Sequence, residues 1–147
     1  MLFNLNFIVG LCFLIVLSII DFLTFSEKSK GYIPAILTTF FLILSILLVG
    51  EKSLLIGVVI GLIALFFAEQ DLFGGIADLK ILIASGILFP SMISMLVFAT
   101  IVSIVAVGIK AFVRLKTTKG EKGRFPFIPV MLIAYVIGWG LMVVLNW

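Results

Sequence analysis

Six apolar runs take up most of this chain, roughly Leu2 to Ile20, Tyr32 to Gly50, Ser53 to Ala68, Leu79 to Phe89, Ser91 to Val113 and Phe125 to Trp147, and the connections between them are short. A helix crosses a hydrocarbon core of about 30 Å with roughly 20 such residues. In lipid, every backbone N–H and C=O must be paired within the chain, so runs of this length fold as helices. The composition agrees: 64% of the 147 residues are hydrophobic and 12% charged, with a mean hydropathy of +1.45. The expected architecture is all-α, a polytopic bundle of six transmembrane helices in a single domain, 1–147, with no separate soluble part.

The number six depends on one join. Read as a single helix, "LKILIASGILFPSMISMLVFATIVSIVAVGIKAFV" runs for 35 residues, too long to cross without strong tilt, and Pro90 interrupts its backbone ladder. A break there leaves a short fourth helix. Charge points the same way. The connection "RLKTTKGEKGR", Arg114 to Arg124, carries five basic residues and one acid, which marks it as cytoplasmic. Six helices with the N-terminus outside put that connection on the same side as Lys28, Lys30 and Lys80, leaving Lys52 outside. The first run lacks both the preceding basic residues and the small-residue cleavage pattern of a removable signal, so it reads as the first span.

Composition also narrows the chemistry. The chain has no His and one Cys, which excludes an internal disulfide and a CxxC-type zinc site and removes the usual neutral-pH base. No Ser is flanked by the glycines of a nucleophile elbow. No cofactor is expected, and Cys12 is expected to fill space in a helix. The net charge of +3 reads as loop charge meeting anionic membrane lipid, with no nucleic-acid partner. Gly57 and Gly61 form a GxxxG expected to let helices pack closely, and Asn146 and Trp147 look like an interfacial end.

Carboxylates and lysines remain. Among the seven acids two aspartates stand out at the ends of spans: Asp21 closes "LIVLSIID" and Asp78 opens "DLKILIASGIL". A hairpin of two runs lies between them, so both return to one membrane face. Taken singly, each has a plain explanation. Asp78 fits a helix N-cap; Asp21 fits an interfacial charge exposed to water and headgroups, although a helix C-terminus repels anions. Taken together they offer more, because two neighbouring carboxylates share a proton, and the ionised member activates water while the protonated one polarises a carbonyl. Gly74 and Gly75 would let backbone approach closely beside Asp78.

"GGIADLK", with Gly75 three before Asp78 and Lys80 two after, resembles the GxGD motif of membrane aspartyl proteases, in particular the type IV prepilin peptidase and preflagellin peptidase family. Asp21 followed by Ile33 and Pro34 resembles that family's first-aspartate segment. "RFPFIPVMLIAYVIG" resembles the stretch that begins its last helix. Ala77 stands where the motif's second Gly would be, a form similar to archaeal members, and the connection from Asp21 to Ile33 is longer than the family's compact form. The resemblance implies a peptidase with Asp21 and Asp78 as catalytic dyad. It would remove the basic leader, the class III signal peptide, of pilin-like or archaellin-like precursors at the cytoplasmic face of the cell membrane. The cysteine-rich insert of methylating relatives is missing, which implies cleavage without methyl transfer. Glu69 and Asp71 then attract the leader's basic residues, or are simply solvated loop acids. Lys80 pairs with Asp78 or another acid, or snorkels to the interface. Two other functions fit the residues: a non-enzymatic membrane subunit or ion- or proton-coupled carrier using the same aspartates, and a presenilin-like GxGD protease.

Overall fold

The structure, a computed structural model, describes residues 4–24, 32–69, 76–116 and 127–146. Those residues form six helices: α1 (Leu5–Thr24), α2 (Tyr32–Val49), α3 (Lys52–Glu69), α4 (Ile76–Ile87), α5 (Met92–Lys116) and α6 (Ile128–Leu145). Among the described residues, three segments, Leu5–Leu23, Met92–Val113 and Ile128–Leu145, are long and apolar enough to cross a membrane; Ala35–Val49 and Leu55–Ala64 are apolar but shorter. The chain is thus an all-α protein of membrane type, with the short fourth helix that Pro90 predicts.

The break itself is built by local hydrogen bonding. Phe89 N–H donates to the Gly86 carbonyl at 3.2 Å and ends α4. Beyond Pro90, Ser94 N–H donates to Ser91 Oγ at 3.2 Å and Ser91 N–H donates to Ser94 Oγ at 3.3 Å. Each serine thereby satisfies an orphan donor of the other, a reciprocal cap that starts α5 in a new direction.

Four helices close a ring: α1 packs on α2 and α6, and α4 packs on the same two from the opposite corner. Outside the ring, α3 and α5 cover the remaining sides of α4. The twelve-residue α4 is therefore the enclosed helix. Ile81, Leu82, Ala84, Ser85 and Ile87 are all buried, as expected of a helix packed against four others. Large exposed apolar side chains such as Phe22, Leu47, Leu62, Ile104 and Val144 lie on the other five helices, as expected of an exterior that meets lipid.

Close approach is made by glycines other than the expected pair. A Cβ on Gly10 would collide with the Tyr135 ring and hydroxyl and with Leu88, and one on Gly86 would collide with Ile60. The GxxxG reading fares differently: a Cβ on Gly57 would make ordinary contact with Ile87 at 3.6 Å, and one on Gly61 would meet nothing within 4 Å. Cys12 is exposed and free, so it does not fill interior space. The far end of the bundle is aromatic, with Phe89 stacked on Phe98 and Trp139 and edge-on to Tyr135 at centroid separations of 5.1, 5.4 and 5.3 Å. Asn146 ends α6 in the left-handed conformation, its N–H bonded to the Met142 carbonyl.

Candidate functional site

The inner stripe of α1 runs Gly10, Leu14, Leu17, Ser18, Asp21, spacings of four, three, one and three residues that keep one helical face. Gly10, Leu14, Leu17 and Ser18 are buried, and Asp21 is half-buried where the stripe reaches the end of the bundle. On α4 the stripe runs Asp78, Ile81, Leu82, Ser85, every member buried, with Asp78 8% exposed. Both aspartates thus extend a core-facing row. Asp21 lies three residues before the end of α1, and Asp78 is the third residue of α4. Asp78 is therefore inside the first turn, not at the N-cap position that its sequence context suggests.

Two independent registers give the two residues the same depth. Gly10 of α1 lies against Leu88, just past α4. From Leu88 back to Asp78 is ten residues, and from Gly10 forward to Asp21 is eleven, rises of about 15 and 17 Å along antiparallel helices. Phe89 lies against Gly138 of α6. Eleven residues back from Phe89 is Asp78, and ten back from Gly138 is Ile128, whose N–H bonds Asp21. The two carboxylates accordingly lie within about one turn of each other along the bundle axis. Helices on the diagonal of a four-membered ring are about 11–14 Å apart when neighbours pack at about 8–10 Å. The inward rows of α1 and α4 thus belong to opposite corners of one ring.

Asp21 has a specific electrostatic partner. Its Oδ2 accepts from the Ile128 N–H at 3.2 Å. Ile128 is the first residue of α6, Pro129 has no N–H, and the Val130 and Met131 N–H groups both turn to the Phe127 carbonyl. Asp21 therefore satisfies an otherwise orphaned donor of that helix. The C-terminus of α1 disfavours an anion, and the N-terminus of α6 compensates with its own positive end. Asp78 in the first turn of α4 lies in a field of the same sign.

Lys80 points elsewhere. Its Nζ donates to Thr39 Oγ1 on α2 at 3.0 Å, and Thr39 in turn donates to the Ala35 carbonyl at 2.8 Å. Two residues apart on a helix do not share a face, so Asp78 and Lys80 project in different directions, and Lys80 ties α4 to α2. Ala77, beside Asp78, is partly buried. Gly74, Gly75 and Asp71 lie outside the described residues, and Glu69 is the last residue of α3. Thr39, Ser18 and the Ile128 N–H are the polar neighbours that the sequence reading missed. The spacing of Ser18, one turn before Asp21 on a stripe otherwise of Gly and Leu, was the available signal for one of them.

Comparison with protein families, with curated proteins and with solved structures finds no match for this chain.

Proposed function

We propose that this chain is a membrane aspartyl endopeptidase that cleaves the basic leader of pilin-like or archaellin-like precursors at the cytoplasmic membrane face. The observation that carries the reading is the common depth of Asp21 and Asp78 on the inward stripes of diagonal helices, about one turn inside the end of the bundle. Two carboxylates in one confined space do not both ionise readily, so a single proton is shared between them. The ionised aspartate takes a proton from water as the water oxygen bonds to the scissile carbonyl carbon. The protonated aspartate first polarises the carbonyl oxygen; its proton then passes to the amide nitrogen as the C–N bond breaks. The products are a carboxylic acid and an amine, and no cofactor takes part.

The position suits a substrate with a short basic leader and a following apolar helix. The helix stays in lipid while the leader lies in water, so the scissile bond arrives at the depth of the two aspartates. In this reading, the acidic charges of Glu69 and Asp71 attract the leader's basic residues. The bond to Ile128 holds the Asp21 carboxylate in one orientation, and the tie from Lys80 to Thr39 holds the start of α4 against α2. Sequencing the N-termini of surface-filament subunits from cells with and without this protein tests the proposal. Subunits that keep their leader only when the protein is missing support it; leaders removed equally in both contradict it.

A further inference from the structure

Hydroxyls inside helices ordinarily bond back to a carbonyl one turn earlier, and among the described residues most do. Thr38 and Thr39 donate to the Ala35 carbonyl, Ser45 to Phe41, Thr100 to Leu96 and Ser103 to Ala99, while Ser91 and Ser94 pair with each other. Among the described residues, two serine hydroxyls are buried without any partner, those of Ser18 and Ser85. Ser18 is 7% exposed and Ser85 is fully enclosed. A buried hydroxyl without a partner costs about 1–3 kcal/mol, and native interiors usually supply such groups with an ordered water.

The two serines differ in what lies beside them. Ser85 is seven residues from Asp78, about 10 Å along the axis. Ser18 is three residues from Asp21 on the same inward face, where Cβ atoms are about 5–6 Å apart. Two hydrogen bonds of about 2.8 Å each bridge that span through one water molecule. Oδ2 of Asp21 is engaged by the Ile128 N–H, and a carboxylate has further acceptor sites for such a water.

We infer that Ser18 and Asp21 together hold an ordered water inside the end of the bundle, and that this is the water delivered to the scissile carbonyl. Ser18 is then a positioning residue, fixing the oxygen while Asp21 or its partner takes the proton. The delivery step rests on the peptidase reading; the water site itself does not.

Two measurements separate these parts. An experimental structure of the intact protein in lipid, at a resolution that shows ordered water, is expected to place one within hydrogen-bond distance of both Ser18 Oγ and the Asp21 carboxylate. Ser18 Oγ bonded instead to the Leu14 carbonyl, with no shared water, overturns the site whatever the enzyme does. On a precursor with a basic leader, Ser18→Ala is expected to lower kcat about tenfold, the loss of one hydrogen bond, with KM unchanged. Ser18→Thr should recover most of that loss, and Ser85→Ala should match the wild type. An unchanged kcat for Ser18→Ala, or an equal loss for Ser85→Ala, overturns the positioning role. A wild-type protein that cleaves no such precursor refutes the peptidase reading and the delivery step alike, leaving the water site to the structural measurement.

Discussion

Asp21 occupies the end of its own helix that suits an anion least, and the start of α6 makes the position tolerable. Its carboxylate satisfies the Ile128 N–H in a turn where Pro129 offers no donor, so the residue has a structural duty separable from any chemistry. Removing a capping acceptor costs about 1 kcal/mol. Asp21→Ala is therefore expected to lower stability by about that amount in chemical denaturation of the detergent-solubilised protein, whereas Asp21→Asn, which keeps a carbonyl acceptor, should stay within about 0.5 kcal/mol of wild type. Equal losses for both would mean that the cap contributes nothing. The sequence made Asp21 conspicuous by its unfavourable place on its own helix, but its compensating partner is 107 residues away. Such a contact exists only once α1 and α6 have packed. Asp78 shows the opposite limit: local context marks it as a cap, and the helix begins two residues earlier.

At the scale of elements, the six helices and the break at Pro90 were legible because lipid leaves the backbone few options and because proline removes a donor. The glycine contacts were not. The GxxxG spacing of Gly57 and Gly61 singles out a helix face, yet Gly61 borders open space, while the isolated Gly10 and Gly86 admit side chains from neighbouring helices. Spacing along one helix says nothing about which neighbour lies opposite. Gly10→Ala must displace Tyr135, whose ring is rigid and whose hydroxyl donates to the Asn6 carbonyl at 3.0 Å. That substitution is expected to cost about 1–3 kcal/mol, measured as a lower unfolding midpoint. Gly61→Ala should be neutral or slightly stabilising, since alanine favours a helix by up to about 1 kcal/mol over glycine. A larger loss at Gly61 than at Gly10 would contradict the packing described. The reciprocal serine cap of α5 was not read from "SMIS", because the pairing depends on the chain having already turned at Pro90.

For the whole molecule, the ring of α1, α2, α4 and α6 explains why so short a helix as α4 stands at the centre of the structure. Enclosed by α2, α3, α5 and α6, it need not match the thickness of a bilayer, and it carries Asp78 at its first turn. The shared depth of Asp21 and Asp78 follows from this packing, and the hairpin of two runs between them had already brought them to one face. The proposed orientation, with that face cytoplasmic, has its own test. In a Cys12→Ser background, Leu115→Cys lies at the Asp21 end of the bundle and Lys52→Cys at the other, and both positions are exposed. A membrane-impermeant thiol reagent added to intact cells is expected to label position 52 and spare position 115. The reverse pattern would invert the topology and remove the cytoplasmic peptidase reading. Catalysis by the Asp21/Asp78 pair is measured with purified protein in lipid, given a precursor with a basic leader and compared with Asp21→Asn and Asp78→Asn, each verified as folded. The wild type is expected to release the leader and each variant to lose at least about a hundredfold in activity; full cleavage by either folded variant would rule out the Asp21/Asp78 dyad.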